Sequence, residues 1–456
     1  MSSGRSCASD ALPALHLNVM ALLRGAVLAV PFLLGACSTF NEGFAPVDQQ
    51  LMRGEIAAAQ ASHDKLTYPA RDRALQALHR GMLLRLSGDW TASNAALETA
   101  KGQMEELARL SVTEQATGLV SNDELRAYEG QVHERVYLHL IKAINYQQLG
   151  ELHSARVEVL QLDVLMRELA AQDEKAVARV APFARYFSGL IYDALNETSD
   201  AMIAYRQALA AYRERNGAAG IPVDLQQRVL RLTRRLGLTE EHEQFRAAFS
   251  QSLEAPRAGA GELVMLVFEG LAPALREESI MWQSLFHGGR LFRISLPVVA
   301  RRYYAGDAPV LHDGPQRITG ELVDDLNRLV EADLEARKPA MAARSVARQA
   351  LKQGVATAAS KAVQRKADSA GEHLFAGVFS IGMQVASVLT ERADTRNWST
   401  LPGRVWLIRQ ALPVGKQSVT VAFSGRQQTW SEVNISAGQT ALLSWHPMGP
   451  GGALAK

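Results

Sequence analysis

Carboxylates and histidines between the first two predicted strands are the nearest approach to a catalytic pattern in this chain. Glu277 and Glu278 lie there, and a His-Gly-Gly triplet follows at 287–289, all within the 269–290 region. Paired carboxylates in a loop could act as general acid and base on a glycan or lipid bond. The competing interpretation is that these loop carboxylates are solvated and do no chemistry.

Other catalytic and metal-binding motifs are incomplete. His242 and Glu243 are followed by Arg246, where zinc proteases carry a second histidine. Acidic residues cluster in 122–134 without the spacing of a calcium loop, so a helix cap or a solvated acidic edge competes with a cation site. The glycines of 255–261 are not followed by the lysine of a phosphate-binding loop. The sequence therefore predicts a protein that is not an enzyme and that uses no cofactor and no metal.

Cys37 has the surroundings of a lipid acceptor. Arg24 precedes the short apolar run 26–34, and Leu-Gly-Ala at 34–36 places small residues directly before the cysteine. An apolar run this short is typical of a secretory signal and not of a spanning helix. The pattern resembles the lipobox of bacterial lipoproteins, which predicts diacylglycerol and palmitate on Cys37. An ordinary signal peptide with an incidental cysteine is the alternative.

The lipobox implies a location and a set of N-terminal boundaries. Ser38 follows the cysteine where inner-membrane retention typically uses aspartate, so we expect a Gram-negative outer-membrane lipoprotein that faces the periplasm. Residues 1–36 are interpreted as signal peptide, and 37–50 as a lipidated polar tether. Met20 begins a conventional signal, so residues 1–19 are either real protein or an over-long start.

A basic stripe stands out between residues 337 and 366, a stretch with eight cations and no acid. Arg344, Arg348 and Lys352 recur every four residues on an Ala-rich helical pattern, and Lys361, Arg365 and Lys366 continue the charge. Such a stripe predicts a surface for an anionic lipid, lipopolysaccharide phosphate or an acidic protein. A solvated face balanced by nearby acids is an equally open interpretation. An apolar helix over 373–389 is expected to pack against it as a hairpin.

Three segments between residues 51 and 250 repeat one spacing of small and large residues. In each, a small residue is followed three positions later by a large one, and seven positions later by Gly or Asn. The positions resemble the tetratricopeptide repeat, in which small residues let two antiparallel helices approach and a turn residue reverses the chain. An unrelated helical bundle is the alternative. The framework residues are Gly81, Gly88, Ala143, Tyr146, Gly150, Ala155, Gly189, Tyr192 and Ala201.

Beyond a linker at 251–261, the pattern changes from helix to strand. The predicted fold class is α+β: a tetratricopeptide-like helical domain (51–250) followed by a small antiparallel sheet or sandwich domain with an inserted helical hairpin. The first strands fall in 262–318, the helical insert with the basic stripe in 319–392, an antiparallel β-meander in 393–447 and a tail in 448–456. Turn signals separate the meander strands.

Composition limits the function classes. The 456 residues contain 49 basic and 47 acidic side chains, for a net charge of +2, which gives no indication of nucleic-acid binding. The two cysteines are Cys7 in the signal and Cys37, so the mature chain is predicted to form no internal disulfide. The acylated cysteine is the expected membrane anchor.

Four stretches of the chain resemble a family of uncharacterised proteobacterial lipoproteins with tetratricopeptide-like repeats. They are 128–158, 262–273 (ELVMLVFEGLAP), 294–299 (ISLPVV) and 393–415 (ADTRNWSTLPGRVWLIRQALPVG). The resemblance implies an envelope lipoprotein, often encoded near lipoproteins that resemble peptidoglycan-synthase activators or the curli channel. We therefore expect a non-enzymatic periplasmic adaptor for an envelope assembly with a protein partner. The alternative is an envelope enzyme with a carboxylate site in 269–290.

Overall fold

The computed structural model describes residues 40–114, 126–249, 259–284, 290–302, 307–365 and 391–449. Within these ranges the chain is a mixed α+β protein whose sheets are largely antiparallel. The helices are α1 (Phe40–Arg53), α2 (Ile56–Asp64), α3 (Arg73–Leu86), α4 (Trp90–Glu114), α5 (Val132–Gln148), α6 (Leu152–Ala194), α7 (Thr198–Asn216), α8 (Val223–Arg235), α9 (Thr239–Ala248) and α10 (Leu326–Arg365). The strands are β1 (Ala260–Glu269), β2 (Ala274–Ser284), β3 (Arg290–Ala300), β4 (Val310–Asp313), β5 (Gln316–Thr319), β6 (Glu321–Asp325), β7 (Arg404–Pro413), β8 (Gly415–Phe423), β9 (Arg426–Ile435) and β10 (Thr440–Trp445).

Successive helices are joined by turns of one geometry. Gly88, Gly150 and Gly237 adopt φ values of +86°, +78° and +70°, and Asn196 adopts +60°. At each turn the N–H of the next residue donates to a carbonyl five positions earlier, at 2.8–3.0 Å. This helix ending requires a left-handed residue, for which glycine and asparagine carry the smallest steric cost. Three of these turns lie where the repeat spacing predicts chain reversals, and Gly237 adds a fourth that the spacing did not reveal.

Small residues in the repeats allow close helix contact. A Cβ added to Gly81 would lie 2.6 Å from Leu97 Cδ2, and one added to Gly189 would lie 2.3 Å from the ring of Tyr205. In both pairs the large partner follows by 16 positions, so the same contact recurs in two hairpins. The remaining small and aromatic framework residues are buried or pack against the same core; they are Ala143, Tyr146, Ala155, Tyr192 and Ala201.

The molecule has three layers: the helices, a first sheet of order β10-β1-β7-β6, and a second sheet of order β5-β4-β8-β9. Strand β1 lies in the first sheet and is buried on both faces. Alternate residues of β1 enter the core shared with the helices, and those between them enter the core between the two sheets. Burial on both sides explains why β1 is an almost continuous apolar run. The residues facing the helices are Val264, Leu266 and Phe268.

One core therefore joins the helices to the first sheet. This differs from the predicted division into a helical domain (51–250), a linker and a separate sheet domain. Side chains of α5, α7 and α8 contact the sheet of the same chain. Gln147 Nε2 donates to Leu442 O at 2.5 Å, and Tyr212 OH donates to Val323 O at 2.7 Å. The inner face of the helical array is thus occupied by the chain itself.

The predicted meander over 393–447 is wrong in topology. Strand β7 pairs with β1 in the first sheet, β8 and β9 join β4 in the second sheet, and β10 returns to pair in parallel with β1. Alternating apolar residues identify strands without identifying their partners, which are chosen by the faces that must be buried. Residues 274–284, expected in a loop, form β2 of a two-stranded ribbon with β3.

Two other regions also differ from the sequence-based boundaries. The described part of the predicted tether (40–50) is helix α1, because Phe44, Val47 and Leu51 form an apolar stripe that is at most 1% exposed. The predicted insert (319–392) begins with strand β6 and continues as α10, while its second helix, 373–389, lies outside the described residues. Among the described helices, none is long and apolar enough to cross a membrane.

Candidate functional site

A cleft of about 230 Å³ lies where four parts of the chain meet. These parts are the loop 126–131 before α5, the β2–β3 ribbon, helix α10, and the segment 391–403, which we name the central strap. The cleft brings together three features that the sequence singled out: the polar insertion before α5, the basic stripe and the 393–415 stretch. The lining residues used below are Arg126, Tyr128, Glu129, Leu275, Pro297, Leu334, Arg337, Met341, Arg344, Asp394 and Arg396.

The cleft has an apolar floor and a charged rim. Leu275, Leu334 and Met341 belong to one small buried cluster and are 1–9% exposed. Arg126 and Arg344 are exposed at the rim, where Arg337 is half-buried in an ion pair with Asp333. This arrangement suits a ligand with an apolar part and a negative charge, because guanidinium groups bind carboxylates and phosphates through paired hydrogen bonds.

Arg396 forms the inner wall and has structural partners. Its guanidinium contacts Asp72 at 2.7 Å and Asp394 at 2.6 Å, and lies 5.5 Å from the centre of the Tyr128 ring. Burial works to lower the pKa of Arg396, but the hydrogen bonds and charges of the two aspartates outweigh it and raise the pKa. Arg396 therefore stays charged and ties the strap to the helical layer.

Glu134 links the loop to the strap and is fully buried. One carboxylate oxygen accepts from Tyr128 OH at 2.5 Å and from the Gln131 N–H at 2.7 Å, which forms a capping box at the start of α5. The other oxygen accepts from the Trp398 N–H at 2.6 Å. Burial and the neighbouring Glu134 charge raise the pKa of Tyr128 well above its ordinary value. The acid that the sequence placed in a possible cation loop is thus a helix cap.

The central strap is irregular yet largely buried, and hydrogen bonds tie it to the β2–β3 ribbon, to the segment between β1 and β2 and to helix α3. Glu277 accepts from the Ala393 N–H at 2.9 Å, and Asn397 donates to Pro273 O at 2.8 Å. The hydroxyl of Thr400 lies 3.0 Å from His79 Nδ1. A buried segment without regular structure needs such partners, because unpaired polar groups are costly inside a protein. The cleft wall is consequently a fixed part of the fold.

The structure divides the basic stripe. Arg344 is exposed at the cleft, whereas Arg348 is 3% exposed and contacts Glu391 at 2.9 Å. The prediction of Arg348 as a surface contact is therefore wrong. Four residues on a helix advance the side-chain direction by about 40°, which is enough to move a residue from the rim to the interior. Lys352, Lys361 and Arg365 lie on α10, their side chains are outside the described part of the structure, and Lys366 lies outside the described residues.

The carboxylates of the alternative enzyme site are held in ion pairs. Glu269 contacts Arg404 at 2.7 Å and accepts from Trp406 Nε1 at 2.9 Å. Burial raises the pKa of Glu269 against the opposing effect of these partners. Glu277 and Glu278, on β2, contact arginines at 2.5 Å and 2.8 Å respectively. These carboxylates brace the ribbon and the sheet, and the triplet 287–289 lies outside the described residues.

The described ranges contain no group of three or more metal-ligating side chains. Cys37 precedes the first described residue, so its acylation stays a prediction.

The cleft itself was not predicted as a unit. Its signal in the sequence was the unusual polarity of 126–131 and 393–400, two segments about 270 positions apart that only the tertiary structure brings together.

Comparison with known proteins gives distant matches only. No family model matches the chain, and no curated protein matches it. Among solved structures, MamA AMB-1 has a TM-score of 0.28 and 13% identity, covering 46% of this chain and 86% of its own. MamA MSR-1 has a TM-score of 0.26 and 14% identity, covering 46% of this chain and 91% of its own. These scores are too low for any functional argument, and the resemblance to proteobacterial lipoproteins stays a prediction.

Proposed function

We propose that the chain is a non-enzymatic adaptor of the cell envelope, anchored in the outer membrane through lipid on Cys37 and facing the periplasm. In this proposal its partner is a protein that presents an apolar surface to the outside of the helical array. The repeats would serve as a rigid support that is fused to the sheets, and not as an open groove for a peptide.

The observation that carries this proposal is the contrast between the two sides of the helical layer. The inner side packs against the first sheet of the same chain. On the outer side of α6, Val157, Leu160 and Val164 are 50%, 42% and 47% exposed, although they stand three and four positions apart as a core-facing stripe would. The opposite side of that helix, including Val159 and Leu162, is buried. Exposed apolar stripes of this kind are typical of interaction surfaces.

A photo-crosslinking experiment in cells tests the adaptor proposal. A benzophenone amino acid would replace Val157 or Val164, and the control would carry it at Glu243 on α9, which is 61% exposed and polar in its surroundings. We expect one protein to be captured from positions 157 and 164 and not from 243. The purified partner should then bind the full chain with defined stoichiometry, and Val157→Gln with Val164→Gln should weaken that binding at least tenfold.

Two results would contradict the adaptor proposal. The first is equal capture from all three positions, which would indicate random contact. The second is turnover of a cell-wall glycan or lipid by the purified chain that Glu269→Gln abolishes, which would favour the envelope-enzyme alternative.

Anchoring is tested separately, because Cys37→Ser should release the chain from membranes. A Cys37→Ser chain that still fractionates with the outer membrane would overturn the lipid anchor.

A further inference from the structure

Helix α1 is held on the molecule by a small apolar cluster of its own, which we name the α1 cluster. Its buried members come from α1, α2, α3 and two later segments; they are Phe44, Val47, Leu51, Ala59, Leu83, Leu271 and Met448. These side chains are separate from the large core that joins the helices to the first sheet. Opening the α1 cluster therefore does not require that the large core be opened.

Two histidines are buried where α1 meets α2 and α3. His79 is 0% exposed, and the centre of its ring lies 4.1 Å from that of Phe44 and 6.0 Å from that of Phe40. His63 is 1% exposed, and its ring lies 6.4 Å from that of Phe44 and 5.5 Å from that of Tyr68. Aromatic side chains of α1 thus cover both imidazole rings.

The polar atoms of this aromatic cluster have few hydrogen-bond partners. His79 Nδ1 lies 3.0 Å from Thr400 Oγ1 of the central strap, but Nε2 has no partner among the described residues. In the same part of the chain, neither ring nitrogen of His63 is hydrogen-bonded, and nor is the hydroxyl of Tyr68, whose pKa is raised mainly by burial. Buried polar groups without partners are costly, and a charge there would be more costly still. The position of α1 therefore depends on neutral imidazole rings.

Burial and nearby cations oppose an added proton on both rings. Burial is the largest cause of the lowered pKa of each histidine, and for His79 the charges of His63 and Arg302 add to it. For His63, Asp64 favours the proton and Arg80 opposes it, and the net effect is still a lowered pKa. A histidine exposed to water takes up a proton as pH falls below about 6.5, whereas these buried rings do not. Acid consequently favours the state in which α1 no longer covers them.

Asp48 acts in the opposite direction and limits the pH range of this effect. Its carboxylate contacts Arg302 at 2.5 Å, and burial raises its pKa above the ordinary value of 3.8. A carboxyl group whose pKa is higher in the packed state favours that state as pH falls through the raised value. The effect of the histidines therefore dominates between about pH 6.5 and about pH 5.

We propose that mild acid releases α1: when His63 and His79 each take up a proton from water, α1 separates from α2, α3 and the central strap. Release would also break the hydrogen bonds from Asn41 Nδ2 to Leu275 O and Thr395 O, at 2.6 Å and 2.5 Å, which hold α1 at the edge of the cleft. Acid would thereby expose that edge. This release depends neither on the adaptor role nor on a lipid anchor.

Hydrogen–deuterium exchange of the full chain, followed by mass spectrometry, tests the release. Exchange would be measured at about pH 7 and about pH 5.5, with times scaled to the chemical exchange rate at each pH. For one histidine with a pKa of about 6.5 when exposed and far lower when buried, the opening equilibrium rises about 8-fold between these pH values, so two give up to about 70-fold. We expect this rise in peptides from 40–53 and no comparable rise in peptides from α5 and β1.

Glutamine variants identify the groups that titrate. His63→Gln with His79→Gln removes both imidazoles, so the ratio of the opening equilibria at the two pH values should fall close to one, whatever the variant does to packing at pH 7. His133→Gln is the matched control, because His133 is 4% exposed, has a pKa lowered mainly by burial and lies on α5 outside the α1 cluster. It should leave the ratio for α1 unchanged.

Three results would overturn the release. An α1 whose protection is the same at both pH values would show that the rings are not coupled to its position. An equal rise in α1, α5 and β1 would indicate acid unfolding of the whole chain, and a double variant with the wild-type ratio would assign the effect to other groups. If α1 of the double variant is unprotected even at pH 7, the single variants His63→Gln and His79→Gln decide. Each should lower the ratio to about 8-fold, and two unchanged ratios would overturn the proposal.

Discussion

Two regions of this molecule are rich in arginine, and they differ in how far the arginines are buried and paired with carboxylates. Between the helices and the first sheet, Arg228 contacts Glu262 at 3.0 Å, and Arg409 contacts Asp224 at 2.7 Å and Glu262 at 3.1 Å. Asp193 and Arg231 complete this set, which we name the interlayer network. It contains three cations and three anions. At the cleft, Arg396 contacts Asp72 and Asp394, and Arg337 contacts Asp333, whereas Arg126 and Arg344 are exposed at the rim.

Burial therefore separates the two regions. In the interlayer network, burial opposes ionisation, but the charges of Arg409 and Arg228 outweigh it and lower the pKa values of Asp224 and Glu262. Each of these charged groups is paired with another member of the network. At the cleft, Arg126 and Arg344 lie at the surface, where a charge costs little to keep and is accessible to a ligand. An arginine-rich pattern alone does not distinguish these cases.

The largest expected effect comes from opening the interlayer network. Arg409→Gln would remove the only arginine that contacts Asp224 among the described residues and one of the three that contact Glu262, and it should lower the free energy of unfolding by about 3–5 kcal/mol. Urea denaturation followed by circular dichroism measures the change. The control is Arg246→Gln, an exposed residue of α9, which should stay within about 0.5 kcal/mol of wild type. Equal small effects of both substitutions would show that the network does not stabilise the layers.

Two arginines four positions apart on α10 give a sharper comparison. Arg348→Gln should cost about 2–4 kcal/mol of stability, because Glu391 is 0% exposed and would lose its guanidinium partner. Arg344→Gln should change stability by less than about 0.5 kcal/mol, because the Arg344 side chain is exposed. Thermal unfolding of the two variants in parallel measures the difference. A destabilising Arg344→Gln would place that side chain among the structural residues and remove it from the cleft rim.

Close helix contact can be tested at the small residues of the repeats. Gly189→Ala would place a Cβ 2.3 Å from the Tyr205 ring and should cost about 1–3 kcal/mol. Gly102→Ala on α4, where nothing lies within 4 Å, should be neutral or stabilise by up to about 1 kcal/mol. Urea unfolding reports both. A neutral Gly189→Ala would mean that α6 and α7 do not approach as closely as the structure has them.

The smallest expected effect is a pH dependence of the interlayer network. The pKa values of Asp224 and Glu262 are lower in the folded chain than in the unfolded one, so their contribution is present above the unfolded values, about 4. It is lost as pH falls through the folded values. Urea unfolding at pH 7 and at successive values below about 4.5 should show a smaller loss for Glu262→Gln than for wild type. An unchanged loss would assign the acid sensitivity to other carboxylates.

Local features of the fold could be predicted from particular residues. Gly88, Gly150 and Asn196 mark helix reversals because a left-handed backbone position is open to few residue types. The apolar run 262–269 predicts a buried strand, and the structure has this strand as β1, which begins two residues earlier, at Ala260. The boundaries at α1, β2 and β6 were missed. Helix α1 and strand β6 have short apolar stripes that are buried by distant parts of the chain, which no local window contains, and β2 is largely exposed, with Ile280 69% and Met281 65% exposed.

What the sequence determined by itself was the local content: helices before strands, turn positions, a near-neutral charge and a cysteine in a lipobox-like context. These follow from backbone sterics and from residue chemistry within a few positions. Tertiary structure alone decided the rest. It closed the inner face of the repeats with the chain's own sheet, buried Arg348 against Glu391 and left Arg344 exposed, and joined 126–131 to the strap as a cleft. Burial and ion pairing depend on which distant parts of the chain pack against each other, and the local sequence does not specify this packing.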